Sequence, residues 1–368
     1  MLVAFRVDAS QSIGTGHLSR CLVLARALHL RLQARCLFVC RRTDGFPIGR
    51  FKGPDDFEIL WLEKSSAMSE ATEGRLKHSA WLGASDESDA DETVSLLRSQ
   101  NIEKLDWIVA DHYGIDAVWE RKVSPMTRYQ FAIDDLADRE HAVDLLLDQN
   151  LKEPSFDAYE QLAPGAKILL GPRFALLREG FSEIPGKPRV VNNSRTSRLL
   201  LCFGGSDEAN WTESALSALL CPELSRFPID VIVPEGHRAI NSLTARCRNA
   251  DNVTLHVSPP DIAVLMKAAD IAIGAGGVMV WERCALGLPT LAWPIADNQV
   301  ELLNAAAQAG VLQLCDSERI GEPSYLSSLV LALHGDTLRR RAMSGAARST
   351  CDGKGAERVV SEMARTGT

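Results

Sequence analysis

A strand that runs straight into a glycine turn and a helix start occurs twice in this chain. It appears near the beginning in RVDASQSIGTGHLSRCLVLARAL and past the middle in LLLCFGGSDEANWTESAL. Around these two stretches, short β-branched runs alternate with helical ones, and parallel strands need a crossover back over the sheet. That combination restricts the chain to an α/β architecture of parallel sheets covered by helices. In the first half, Leu2–Val7, Arg35–Cys40, Glu58–Leu62, Trp107–Asp111, Gln130–Asp134 and Asp144–Leu147 read as strands. His17–Gln33 and Glu92–Ser99 read as helices there. In the second half the strands are Arg198–Phe203, Ile229–Val233, Val253–Val257, Asp270–Ile273 and Thr290–Trp293. Helices are expected over Asn210–Leu220, Asp261–Ala269, Val278–Gly287 and Asn298–Ala309.

With 368 residues the chain exceeds one ordinary core and suits two domains of similar size. The stretch PGKPRVVNNSRTS (Pro185–Ser197) has no periodicity and separates them, giving a first domain over 1–185 and a second over 198–368. The polar segment Ser65–Asp91 carries no strand signal and decorates the first domain. Two such Rossmann-like domains put their glycine turns at the carboxyl ends of their first strands, beside one central cleft.

A net charge of −8 argues against nucleic acid as a partner, which calls for a basic face. The nine cysteines are odd in number, scattered, and form no CxxC pair, so free thiols in a reducing compartment are expected, not disulfides or zinc. The opening MLVAFRVDAS is charged too early for a signal peptide, and no apolar run approaches the roughly 18 residues of a membrane span. The expectation is a cytoplasmic protein without integral membrane association, with no metal and no cofactor, and a monomer.

Four motifs carry chemistry. In the first, Gly14-Thr15-Gly16 ends a strand and His17 falls in the first turn of an amphipathic helix. Glycines let a ligand approach the backbone, and the free N–H groups of a helix start suit an anion. The partial positive charge there disfavours an imidazolium, which suits His17 to accept a proton. A capping or packing histidine is the plainer alternative. In the second, Gly204-Gly205-Ser206-Asp207 follows a buried strand and Asn210 opens a helix, either to meet phosphate or simply as a tight turn with Asp207 or Asn210 as cap. The third, DIAIGAGGVMVWERCALGLPTLAWPIADNQ, holds Gly276, Gly277 and Val278 where N–H groups cradle a diphosphate. Glu282 stands a turn later to accept from a ribose diol, and Asp297, Asn298 and Gln299 follow the next strand with groups for hydroxyls or phosphates. Singly these are a solvated helix residue or a cap. The fourth is Asp111-His112-Tyr113-Gly114 at a strand end, with Asp134 and Asp135 at another, suited to a metal, a sugar, catalysis or only a turn.

FRVDASQSIGTGHLSR, VADHYGID, FAIDDLAD, LLLDQN, LGPRFALLREGF, CFGGSDEAN and GAGGVMVWERCALGLP…DNQ run in order from residue 5 to about 299. Together they resemble the UDP-2,4-diacetamido-2,4,6-trideoxy-β-L-altropyranose hydrolases of pseudaminic acid synthesis (PseG), relatives of the glycosyltransferase MurG with a GT-B fold, and that fold implies that a last helix after Gly353 crosses back to the first domain. The resemblance implies metal-independent hydrolysis of a UDP-sugar, on the route to flagellin glycosylation. It implies His17 as general base, with Tyr113 and Asn298 assisting near the sugar. Gly276, Gly277 and Val278 would meet the diphosphate, Glu282 the ribose, and the backbone near His256 and Val257 the uracil. Direct attack by water inverts the anomeric centre and needs no second carboxylate as acid. A GT-B glycosyltransferase using a UDP-sugar donor is the competing reading, and a non-enzymatic nucleotide-sugar sensor a third. The chain departs from compact members in the Ser65–Asp91 segment and in a longer tail after Cys315.

Overall fold

Among the described residues every pairing between the strands of the two sheets is parallel, so each strand must be reached by a crossover and both faces of each sheet are covered. The structure is a computed structural model. It describes residues 1–10, 13–43, 45, 49, 57–64, 75–151, 158–182, 196–204, 207 and 209–366, with the backbone alone at Asn298.

The chain divides into two units, Met1–Leu176 with Lys354–Thr368, and Leu177–Gly353. In the first unit β1 (Leu2–Val7) leads to α1 (Gly16–Leu32), β2 (Arg35–Arg41) and β3 (Glu58–Leu62). Two helices follow, α2 (Ser79–Leu82) and α3 (Asp86–Ser99), then β4 (Leu105–Asp111), α4 (Ala117–Val123), β5 (Thr127–Ile133), β6 (Leu145–Asp148), α5 (Ala158–Leu162) and β7 (Lys167–Leu170). The sheet order is β3-β2-β1-β4-β5-β6-β7. Alternate side chains of its strands go to opposite faces. Phe5, Phe38, Val109 and Phe131 join Leu18, Leu22 and Leu28 of α1 on one face, while Ala4, Leu37, Ile108 and Ala110 join Leu97 and Trp119 on the other.

In the second unit β8 (Leu199–Cys202) leads to α6 (Trp211–Leu219), β9 (Ile229–Val233), α7 (Ile240–Arg248), β10 (Val253–Val257), α8 (Ile262–Ala268) and β11 (Ile271–Ala275). There follow α9 (Val278–Ala285), β12 (Thr290–Trp293), α10 (Val300–Gln308), β13 (Gln313–Leu314), α11 (Pro323–Gly335) and α12 (Thr337–Thr350). The order β10-β9-β8-β11-β12-β13 reverses direction between β8 and β11, as the first sheet does between β1 and β4. Such reversals open a crevice at the strands' carboxyl ends.

The final helix, α13 (Gly355–Thr366), belongs to the first unit, where Val359, Val360 and Met363 are buried in the same core as α1. Leu177–Ser182 groups with the second unit, while most of the linker expected at Pro185–Ser197 lies outside the described residues.

Several elements differ from the sequence expectation. Helix α3 begins at Asp86, not Glu92: Ser85 accepts from the Ser88 N–H, and Asp86, Glu87 and Asp89 suit a helix start. Its polar first turn hid it because Asp89 is buried by charge pairing, not by apolar packing. The tail after Cys315 is largely helical, through α11 and α12. All nine cysteines are buried, and none is in a disulfide. No helix among the described residues is long and apolar enough to cross a membrane.

Candidate functional site

The loop after β1 and the end of β4 meet at the first sheet's reversal point. Gly14 has φ 77°, a left-handed conformation that favours glycine, and its N–H donates to the Ser10 carbonyl at 2.9 Å. Helix α1 then starts with neither a side-chain cap nor an acidic residue in its first turn. Gly16 has nothing within 4 Å of where a Cβ would stand, so its backbone imposes no need for glycine.

One helical turn along, His17 and Arg20 both reach Asp111, the last residue of β4. His17 Nδ1 lies 2.6 Å from Asp111 Oδ1, and Arg20 donates through Nε to Oδ2 and Nη2 to Oδ1, each at 2.6 Å. With the carboxylate this close, the Nδ1 proton is assigned to the Asp111 side, which leaves the Nε2 lone pair as the ring's acceptor. The longer 3.2 Å approach of Arg20 Nη2 to the same nitrogen then sets donor against donor and is only a contact. Burial alone would raise the Asp111 carboxyl, but Arg20 and then His17 outweigh it and hold it well below the usual carboxylate range.

Arg20 continues to Asp135 Oδ2 at 3.0 Å, and Asp135 Oδ1 accepts from the Tyr113 hydroxyl at 2.6 Å. The rings of His17 and Tyr113 meet edge to face at 4.6 Å. Burial first, then Asp135, push the Tyr113 phenol far above its ordinary range, so it is a neutral donor. His112 beside it accepts the Gly114 N–H at Nδ1, and burial lowers it to about 4. It is a neutral ring that shapes the loop.

The remaining acid of the pair is structural. Asp134 is fully buried and accepts from Arg139 at 2.8 Å, Tyr159 at 2.9 Å and the Ala137 N–H at 3.0 Å. Among the described residues no group of three or more His, Cys, Asp or Glu is arranged to hold a metal ion.

In the second unit the reversal point lies between β8 and β11. Gly204 has φ 93° after β8, while Gly205 and Ser206 lie outside the described residues. Asp207 takes the plainer of its two expected roles: it caps α6 by accepting from Trp211 N at 2.7 Å and Thr212 N at 2.8 Å, with His237 Nε2 at 3.1 Å. Asn210 stands at the cap position with φ 60°, its amide donating to Glu213.

After β11, Gly277 has φ 80° and directly precedes Val278, the first residue of α9, which again has no side-chain cap. Gln299 Oε1 accepts from Gly276 N and Ile295 N, both at 3.1 Å, so this glutamine fastens the glycine turn to the loop after β12. Glu282 is buried and Arg178 donates to its Oε1 at 2.9 Å. Asp297 is exposed, and the Asn298 side chain lies outside the described residues. His256 and Val257 sit on the edge strand β10, with His256 Nε2 2.9 Å from Asp230.

The structure therefore gathers His17, Asp111 and Tyr113 in the first unit, and Gly276, Gly277, Val278, Glu282 and Gln299 around α9 in the second. Sequence reasoning missed Arg20 and Arg178. Arg20 was detectable as a cation three residues from His17 on an apolar helix face. Arg178 had no local signal, because its partner is Glu282, far along the chain.

No protein-family model matches the chain. It is 25% identical over 288 residues to a UDP-2,4-diacetamido-2,4,6-trideoxy-β-L-altropyranose hydrolase of Campylobacter jejuni, covering 78% of this chain and 89% of that one. A UDP-N-acetylglucosamine–N-acetylmuramyl-(pentapeptide) pyrophosphoryl-undecaprenol N-acetylglucosamine transferase of an Exiguobacterium species is 27% identical, over only 41% of this chain and 42% of its own. Among solved structures, Acinetobacter baumannii MurG superposes with TM-score 0.66 at 16% identity over 99% of both chains. Staphylococcus aureus MnaA with UDP gives 0.63 at 10%, over 99% of this chain and 96% of that one. The fold is GT-B, and the resemblance to the altropyranose hydrolases extends along most of the chain.

Proposed function

We propose that this chain processes a UDP-activated sugar by hydrolysis, with UDP-2,4-diacetamido-2,4,6-trideoxy-β-L-altropyranose as substrate. The observation that carries the reading is His17, oriented through Nδ1 by a buried carboxylate at 2.6 Å, with its second nitrogen left as a base. The likeness to the Campylobacter hydrolase supports the substrate class. A glycosyl diphosphate already holds a good leaving group, so two tasks remain: removing a proton from water and stabilising charge on departing UDP.

In this reading the water oxygen bonds to the anomeric carbon as the bond from that carbon to the diphosphate oxygen breaks. The electron pair leaves with UDP, the water proton passes to His17 Nε2, and the centre inverts. Asp111 holds the ring and stays ionised beside Arg20, while Tyr113, a neutral phenol, orients the sugar with Asn298. The N–H groups at Gly276, Gly277 and Val278 receive the diphosphate. Glu282, steadied by Arg178, accepts from the ribose, and the backbone at His256 and Val257 meets the uracil.

Incubation with a panel of UDP-sugars and no acceptor tests this directly. Rapid UDP release from the diacetamido sugar, unchanged by EDTA, is expected, and in ¹⁸O water the label should enter the sugar. Release only after an acceptor is added would establish the transferase instead, and binding without release a sensor. Label on UDP would mean attack at phosphorus and would sink the mechanism.

A further inference from the structure

Two half-buried rings beside Tyr113 have no part in the chemistry above. His78 and Trp81 come from the polar segment whose sequence gave no hint of a role, His78 just before α2 and Trp81 within it. Their ring centres lie 4.5 Å apart, and 5.4 Å and 5.7 Å from that of Tyr113. Trp81 stacks on Tyr113 with planes 27° apart, and Tyr113 in turn touches His17. The turn is fastened to this loop. Arg75 pairs with Asp86 and with Asp116, the cap of α4, each at 2.5 Å, and Ser79 Oγ accepts the Leu76 N–H at 2.9 Å. The His78 carbonyl comes so near Gly114 that a Cβ there would lie 3.2 Å from it. Partial burial, then Lys77, lower the pKa of His78, so it is an uncharged flat ring near neutral pH.

The geometry points to Trp81 and His78 as the apolar wall that selects the sugar, favouring a 6-deoxy, N-acylated pyranose over a fully hydroxylated one. This rests on the UDP-sugar reading. A sugar whose anomeric carbon is served by His17 is one small ring across, so its far substituents fall beside the ring packed on His17's neighbour. Methyl groups gain contact with aromatic faces. A hydroxyl pressed against the same faces gives up water and finds no acceptor, which costs binding. A single such group in a pocket changes discrimination by roughly 10- to 200-fold.

The test compares Trp81→Ala, Trp81→Phe and His78→Ala with the unaltered protein. The readouts are KM for the diacetamido UDP-sugar and calorimetric Kd values for UDP and for UDP-glucose, whose sugar is fully hydroxylated. Trp81→Ala should raise that KM about 10-fold while both Kd values stay within about twofold, and Trp81→Phe should keep most of the affinity. Unchanged KM, or an equal loss for both sugars, overturns the assignment and leaves the rings as packing for Tyr113. If Trp81→Ala loses its cooperative melt, the same comparison is read on His78→Ala, where an unchanged KM overturns the assignment. An unaltered protein that neither binds UDP nor releases it defeats the UDP-sugar reading itself, and this inference with it.

Discussion

At the scale of residues, the proposed chemistry rests on one histidine beside an engaged carboxylate. Asp111 is fully buried with both oxygens taken by Arg20 and His17, so it orients and does not itself meet substrate. His17→Gln should lower kcat by roughly 10²–10⁴-fold, the usual reach of a positioned base, with KM nearly unchanged. Asp111 cannot stand in as the base, because Arg20 holds its carboxyl well below the usual carboxylate range. A folded His17→Gln protein with full turnover would return His17 to the role of a helix-start residue. His17 was legible because a glycine turn, a strand end and a helix start are all local. The role of Asp111 was not: whether a carboxylate at a strand end faces ligand or a buried arginine depends on what packs beside it.

Elements are tied together by buried charge as well as by apolar packing. His141 joins α4 to the end of β5: its Nδ1 lies 2.7 Å from Glu120, and Asp134 stands 3.8 Å from Nε2. Burial alone would lower the ring's pKa, but the nearby carboxylates of Asp134 and Glu120 raise it from 6.5 to about 9. A raised histidine contributes stability that is fully present below its unfolded value and is lost as pH rises through the folded one. The window is therefore about pH 6.5 to 9, and the shift corresponds to on the order of 3 kcal/mol. Thermal melts should show stability falling across that window. His141→Gln should be less stable at pH 6 and should flatten this part of the profile. An unchanged slope would mean that the imidazolium is not what Glu120 and Asp134 hold. Helix α3 teaches the same lesson from the other side. Its acidic first turn looked like loop because the sequence does not reveal that Arg6 and Arg41 bury Asp89.

At the scale of the whole molecule, the chain begins and ends in the same unit. Helix α13 brings Val359, Val360 and Met363 into the core that α1 and the first sheet build. Each such side chain stabilises by about 1.5–3 kcal/mol when buried, and a domain's entire margin is only about 5–15 kcal/mol. A chain ending at Gly353 should therefore lose the first unit's cooperative unfolding transition and expose a surface that aggregates, whereas Val359→Ala should cost about 2 kcal/mol. A truncated protein melting as the full chain does would show that α13 is dispensable. The return leaves no room at its start, since a Cβ on Gly355 would collide with the Ala175 carbonyl. The alternation of strand and helix, the parallel class and the two glycine turns were readable in the sequence, because periodicity and turn chemistry act over a few residues, whereas the return of a last helix was suggested only by the resemblance. Which carboxylates serve as buried struts, the reach of Arg178 to Glu282, and the placement of Trp81 against Tyr113 were decided only by the tertiary structure. Each depends on residues far apart in the chain being brought to a few ångströms, and a charge or a ring acquires its role from that neighbour.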